Sequence, residues 1–265
     1  MSPLSDLIEK LRDAIAGAPE RAAAAEKAWS ASEPLTAKLP LVHRTGDRRR
    51  GSVLDRIFVD GYLRPPKQPS SREADLELAP AVYFNYGAGN CPRGNVALVF
   101  PPPITDSEGF SESTFTYFDS GALGTPRYLD CPSREPAWED IETRRAFLRE
   151  HTWPCKDLTR SAEVYLAAHF KDHRDYVRLK DPDWPPYHGL TSATGDPRAW
   201  TIEVRNPKSV PLEGLEAILL DRALLRQISD TYLGFVRLVE HSDGFDRGIA
   251  DYIEENHCQV FSSEN

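Results

Sequence analysis

The sequence lacks the features that mark several common classes of protein. Its 265 residues contain no apolar run that approaches the ~20 residues needed to span a bilayer, and charged residues occupy the N-terminal stretch where a signal peptide is apolar. No GxGxxG, GxxxxGK[ST] or GxSxG motif occurs, which leaves the dinucleotide-binding, P-loop and simplest hydrolase folds without support. We therefore expect a soluble cytoplasmic protein with no membrane contact.

Cysteine and positive charge are also scarce. With 41 acidic and 32 basic residues, the net charge is −9 at pH 7. Proteins held to nucleic acid mainly by phosphate contacts are usually basic, so a DNA-coating role is disfavoured, although a local basic patch can still contact a strand. The four cysteines are far apart and form no CxxC pair, which predicts neither a zinc site nor a disulfide framework. They are Cys91, Cys131, Cys155 and Cys258.

The sequence does contain many short elements separated by its 22 prolines and 16 glycines. Residues 1–34 are predicted to form an N-terminal helical arm that packs on the body or on a partner. Residues 35–240 are predicted to form the main domain, and residues 241–265 a polar C-terminal tail. Proline and glycine at this density argue against a helical bundle.

Within the main domain, apolar runs predict strands and helical spacing predicts helices. The strands do not alternate regularly with helices as in a doubly wound sheet, so the predicted fold class is mixed α+β. Residues 65–77 are polar and rich in proline and predict an exposed loop. Strands are predicted at residues 39–43, 81–86, 95–100, 115–118, 200–205 and 217–220, and helices at residues 52–63, 138–151, 159–173 and 223–241.

Two histidines fall four residues apart in a predicted helix, as metal-binding imidazoles require. They are His169 and His173. A zinc protease needs a glutamate directly after the first histidine, and this chain has Phe170 there. Because no third ligand is fixed by the sequence, we predict no metal site.

One carboxylate stands out because it interrupts an apolar strand. Glu203 lies in the run WTIEVR, where an unpaired buried carboxylate is costly unless it faces a polar cleft. The alternative is an outward-facing side chain that forms a salt bridge with Arg205 or a neighbour. Glu163, in a predicted helix, is expected to be solvated or structural, and Glu213 and Glu216 beside a turn are expected to be solvated.

The first predicted strand ends in His43, followed by Arg44, Thr45 and the arginine run at residues 48–50. Taken alone, these residues fit a core imidazole and a solvated cluster of charges. Their order relative to the later strands carries more information.

That order resembles the ADP-ribosyltransferase fold with a His–Tyr–Glu triad. The first strand ends in His-x-Thr, and SVLDRIFVDGYL (52–63) takes the place of a family helix that ends in ILxxGL. AVYFNY (81–86) is similar to the family's YF strand. EVRNPKSVPLEGLEAILL (203–220) and FTYFDSGAL (115–123) resemble the Glu strand and the FTDxxA segment of the DarT-like DNA-modifying toxins. The chain departs from the family in reading HRT where many members have HGT, and residues 124–199 contain no family motif.

The resemblance implies split, mostly antiparallel sheets around an NAD cleft, with NAD as co-substrate. It implies transfer of ADP-ribose to a macromolecular acceptor, nucleic acid or protein, by a toxin or defence effector whose arm binds an antitoxin or other partner. It implies catalytic roles for Glu203, Tyr83 and His43. The residues it implies for NAD binding are His43, Arg44, Thr45, Arg48, Tyr83 and Phe84.

Two alternatives stay open at this point. The same fold also carries RNA 2′-phosphotransferases that use NAD, but such an enzyme needs several basic residues for the phosphate, and only the cluster at residues 44–50 is available. A catalytically silent module that binds a ligand or partner is the second alternative.

Overall fold

A mostly antiparallel β-sheet with helices packed against it makes up the described part of the chain. The computed structural model describes residues 3–31, 35–46, 52–87, 96–102, 109–125, 128–135, 137–171, 173–192, 195–221, 224, 237–241 and 253. The mixed α+β class predicted from the sequence is confirmed. Within these residues, no helix has the length and apolar character needed to cross a membrane.

The N-terminal arm consists of two helices, α1 (Pro3–Ala14) and α2 (Pro19–Ser30). Pro19 opens α2, a position where the missing backbone N–H costs no hydrogen bond. The apolar face of α1 is buried through Leu7 and Leu11, and Ile15 directly after the helix is buried as well. The arm therefore packs on the body of the protein, one of the two placements that the sequence allowed.

Eight strands form one sheet in the order β10-β9-β4-β1-β3-β7-β5-β6, and β2 pairs with β8 apart from it. Every neighbouring pair is antiparallel except β9 and β10. The strands are β1 (Leu41–Thr45), β2 (Tyr62–Leu63), β3 (Val82–Tyr86), β4 (Val96–Phe100), β5 (Thr114–Thr116), β6 (Trp153–Pro154), β7 (Glu203–Asn206), β8 (Val210–Pro211), β9 (Ala217–Asp221) and β10 (Arg237–His241).

The remaining helices lie in the connections between strands. Gly61 ends the first of them with a φ of 68°, the left-handed conformation that favours glycine at a helix end. These helices are α3 (Ser52–Asp60), α4 (Ser71–Asp75), α5 (Ile141–Glu150), α6 (Leu158–His169) and α7 (His173–Val177).

The sheet opens between β1 and β3. These strands pair only at Leu41 with Tyr86 and at Val42 with Asn85. Beyond this point β1 continues along β4 as far as Thr45, while β3 continues along β7. The divergence of two paired strands creates an opening at the centre of the sheet, and the candidate functional site lies there.

Two element predictions are wrong. Residues 65–77 are not all loop, because Ser70 and Glu73 form a reciprocal capping box that starts α4. Residues 223–241 do not form one helix, because residues 237–241 are the strand β10, paired in parallel with β9. Pairing with a distant strand overrides the local helical spacing there; residues 225–236 lie outside the described part of the chain.

The predicted helix over residues 159–173 is also too long. It ends at His169, since Phe170 is extended (φ −118°, ψ 146°), and His173 begins a separate helix. Nδ1 of His169 donates to the Trp184 carbonyl at 3.3 Å, and burial lowers the pKa of His169 to about 4. The two histidines therefore do not share one helix, and the described residues contain no group of three or more potential ligands placed to hold a metal.

Candidate functional site

The site is built on one face of the strand pair β3 and β7. Alternate β3 side chains are buried, while Tyr83 and Asn85 between them are partly exposed. Across the pair, Asn85 lies opposite Glu203 and Tyr83 lies opposite Arg205. Residues directly opposite each other in an antiparallel pair share a face, so these four polar side chains form one patch.

This patch borders a cleft of about 610 Å³, within the range of ~300–1,000 Å³ that is usual for small-molecule sites. One side of the cleft comes from β1, β3 and β7, and the other from α4 and the turn that begins at residue 119. The side chains that matter for its chemistry are Arg44, Arg72, Glu73, Tyr83, Asp119 and Glu203.

Glu203 is only 7% exposed although it borders the cleft. Its Oε1 accepts hydrogen bonds from the hydroxyl and from the backbone N–H of Ser120, the latter at 3.2 Å. Burial and then the charge of Asp119 raise the pKa of Glu203 to about 8, while the Ser120 bonds and Arg205 act in the opposite direction. The neutral and charged forms of the Glu203 carboxyl are therefore equally populated at about pH 8.

The turn at residues 119–124 is fixed in front of Glu203 by its own hydrogen bonds. The Asp119 carboxylate caps the turn by accepting from the Ala122 N–H at 3.0 Å, and the Asp119 N–H donates to the Arg198 carbonyl at 2.9 Å. Residues 119–123 of this turn belong to the segment 115–123 on which part of the resemblance rests. Its place beside Glu203 follows from the pairing of Thr116 in β5 with Glu203 in β7.

Tyr83 stands between two carboxylates. Burial, then the charges of Glu203 and Glu73, raise the pKa of Tyr83 well above its ordinary value, so it remains a neutral phenol. Burial by itself would raise the pKa of Glu73, but hydrogen bonding with Ser70 and the charge of Arg205 lower it overall. Glu73 is therefore ionised at neutral pH.

His43 does not line the cleft, but it joins the two strands that diverge at its edge. Its Nδ1–H donates to the Tyr83 carbonyl at 2.8 Å, and its ring meets the Phe84 ring edge-on at a centroid distance of 5.8 Å. Burial lowers the pKa of His43, which leaves the imidazole neutral with Nε2 as its acceptor. Contact between His43 and a ligand stays a prediction.

The other predicted NAD-binding residues divide into three groups. Arg44 and Phe84 line the cleft together with Tyr83 and Glu203. Thr45, at the end of β1, is partly buried and is not part of the lining. Arg48 lies outside the described residues.

Two of the alternatives for the carboxylates are wrong. Glu203 does not point outward to pair with Arg205, because it is buried and bonded to Ser120. Glu163 is not solvated, because it is buried and its Oε2 accepts from the Thr36 N–H at 2.8 Å. The structural role expected for Glu163 remains, and Glu213 and Glu216 are exposed as predicted.

Sequence reasoning missed Glu73, Arg72, Asp119 and Ser120. A signal was available for Glu73, since serine followed three residues later by glutamate is the pattern of a capping box. No local signal marks Asp119 and Ser120 as neighbours of Glu203, because the contact spans 83 residues of sequence.

The chain matches no protein-family model and no curated protein sequence.

Proposed function

We propose that this protein is an NAD-dependent ADP-ribosyltransferase that modifies a macromolecule. The observation that carries the proposal is a buried carboxylate, Glu203, in the wall of a cleft that also contains the aromatic ring of Tyr83 and the guanidinium of Arg44. The cleft is large enough for a small-molecule ligand and offers an aromatic face, cations and a carboxylate. Bent NAD needs all three.

The reaction needs electrostatic stabilisation more than a strong nucleophile. When the nicotinamide–ribose bond breaks, its electron pair leaves with the ring, which becomes neutral, and positive charge develops at the ribose. An ionised Glu203 offsets that charge, and the Ser120 bonds hold the carboxylate in one orientation. Because the nicotinamide ring of NAD is cationic, its binding also favours the ionised form of Glu203.

We assign the other roles as the resemblance to ADP-ribosyltransferases implies them. The flat face of Tyr83 stacks on nicotinamide, and the backbone at Arg44 and Thr45 holds the nicotinamide amide. The Arg44 guanidinium pairs with the diphosphate. His43 is neutral and anchored through Nδ1, and its Nε2 accepts a hydrogen bond from a hydroxyl of the adenosine ribose.

The acceptor is a macromolecule, either nucleic acid or protein. The net charge of −9 favours a protein acceptor or a short nucleic-acid contact over a wrapped duplex. Transfer of ADP-ribose to an essential macromolecule is the activity of a toxin or defence effector, and such an effector needs a partner that restrains it.

Incubation with NAD labelled in the adenylate part tests the proposal. We expect free nicotinamide together with label in a protein or nucleic-acid fraction, and loss of both in Glu203→Gln. Nicotinamide release that depends on a 2′-phosphorylated RNA, with transfer of the phosphate, would instead indicate the phosphotransferase. Absence of nicotinamide release under all conditions would leave the binding module.

A further inference from the structure

Asn85 lines the cleft directly opposite Glu203. The two residues face each other in the antiparallel pair of β3 and β7, and both border the cleft. The Cβ atoms of directly opposite residues in such a pair lie ~4.5–5.5 Å apart. A single ligand can therefore contact the Asn85 amide and the Glu203 carboxyl at the same time.

Asn85 and Glu203 are the two members of their row across the sheet that offer polar atoms to the cleft. On β1, Val42 pairs with Asn85, and its side chain is apolar and fully buried. On β5, Thr116 pairs with Glu203, and its hydroxyl donates to the Phe118 carbonyl at 2.6 Å. The neighbours on either side of the pair therefore have no free hydrogen-bonding group for a ligand.

The polar atoms of the pair are not committed to other groups. Both donors of Ser120 go to Oε1 of Glu203, and within the described residues Oε2 has no hydrogen-bond partner. The Asn85 amide likewise forms no hydrogen bond in the part of the chain that the structure describes. Because Asn85 is partly exposed, its amide oxygen and nitrogen are accessible to a ligand in the cleft.

This pair favours a sugar with adjacent hydroxyl groups over an anion. A hydroxyl both donates and accepts, so one hydroxyl can donate to Oε2 of Glu203 while its neighbour exchanges hydrogen bonds with the Asn85 amide. A phosphate or carboxylate in the same place would bring a second negative charge beside Glu203. The chemistry of the pair therefore fits the two adjacent hydroxyls of a ribose.

We propose that Asn85 is a substrate-binding residue of this site: its amide binds the ribose hydroxyl next to the one that donates to Glu203, and so selects ligands that place a ribose at this point of the cleft. The assignment of that sugar to the nicotinamide ribose of NAD rests on the proposed function. The recognition of a ribose does not.

ADP-ribose and ADP test this assignment, because ADP-ribose carries a second ribose on its diphosphate and ADP does not. Calorimetric titration gives both affinities, and we expect the wild type to bind ADP-ribose more tightly than ADP. Asn85→Leu keeps a similar volume but removes both polar atoms of the amide. It should lower the affinity for ADP-ribose by about tenfold, the effect of one or two lost hydrogen bonds, and leave the affinity for ADP unchanged. A merely structural defect would weaken both ligands.

Thr114→Val is the matched control, since it also replaces a polar side chain of the same sheet by an apolar one. Thr114 lies on β5 and is not part of the cleft lining, so this variant should keep the wild-type preference for ADP-ribose. Asn85→Ala replaces Asn85→Leu if that variant fails to fold. An Asn85 variant that keeps the wild-type preference, or a wild type that shows no preference, would overturn the proposal.

Nicotinamide release from NAD separates this proposal from the proposed function. In Asn85→Leu the KM for NAD should rise by about tenfold with a smaller change in kcat, because the hydroxyl is bound in both the ground and the transition state. A wild type that prefers ADP-ribose through Asn85 but releases no nicotinamide would refute the transferase and leave the ribose subsite. Nicotinamide release with an unaltered KM in Asn85→Leu would refute the role of Asn85 and leave the transferase.

Discussion

Ser120 donates to the same oxygen of Glu203 twice, once from its backbone N–H and once from its hydroxyl. The negative charge of the preceding residue, Asp119, raises the pKa of Glu203, whereas the two bonds from Ser120 lower it. Two neighbouring residues of one short turn therefore act on the pKa of Glu203 in opposite directions. The ionisation of Glu203 is for this reason the most informative property of the site.

Ser120→Ala removes the hydroxyl donor and keeps the backbone donor. Hydrogen bonds to a charged group contribute ~1.5–3 kcal/mol, and one pKa unit corresponds to about 1.4 kcal/mol. We expect the ascending limb of the pH profile for nicotinamide release to move to higher pH by about one unit. Asp119→Asn, which retains a capping side chain, should move it to lower pH. Shifts in the same direction for both variants would contradict this account of the turn.

The main strands and Glu203 could be predicted from sequence because their signals are local. A carboxylate in an alternating apolar run is visible in residues 200–205 alone, and β3 and β4 occupy the predicted segments almost residue for residue. The helix predicted at residues 52–63 is present as α3, which ends at Asp60, directly before Gly61.

What the sequence could not predict depends on pairing between distant segments. The strand at residues 237–241 exists because it pairs with β9, and Ser120 meets Glu203 because β5 pairs with β7. The burial of Glu163 depends on the Thr36 N–H, 127 residues away along the chain. None of these contacts leaves a periodic trace in the local sequence.

Protein stability should depend on pH through Glu203. The pKa of Glu203 is about 8 in the folded protein and 4.5 ordinarily, so the folded state binds the proton more tightly. The resulting stability is present below about pH 4.5 and is lost as the pH rises through 8. At about 1.4 kcal/mol per unit of difference, the loss amounts to a few kcal/mol.

Glu203→Gln removes this dependence. In thermal unfolding, the variant should melt at the same temperature as the wild type near pH 4.5. Above pH 8 it should melt at a higher temperature than the wild type. A wild type that gains stability relative to the variant as the pH rises would show that the carboxyl ionises more easily than burial implies.

His43→Ala should weaken NAD binding more than it slows the chemical step. The proposed partner of His43, the adenosine ribose, lies away from the bond that breaks, so the contact is similar in ground and transition states. Calorimetric titration with NAD and initial rates of nicotinamide release give the two effects separately. Unchanged affinity with a collapsed turnover would contradict this role, and would indicate that His43 acts through its bond to the Tyr83 carbonyl.

The most direct test of the central claim is the rate of nicotinamide release from NAD by Glu203→Gln, measured at a pH above 8. The substitution preserves volume but removes the charge that opposes the developing cation, and we expect a fall of at least about a hundredfold. Glu213→Gln, an exposed glutamate ten residues further along the chain, is the matched control and should retain the wild-type rate. A Glu203→Gln variant that releases nicotinamide as fast as this control would contradict the assignment of Glu203 as the catalytic carboxylate.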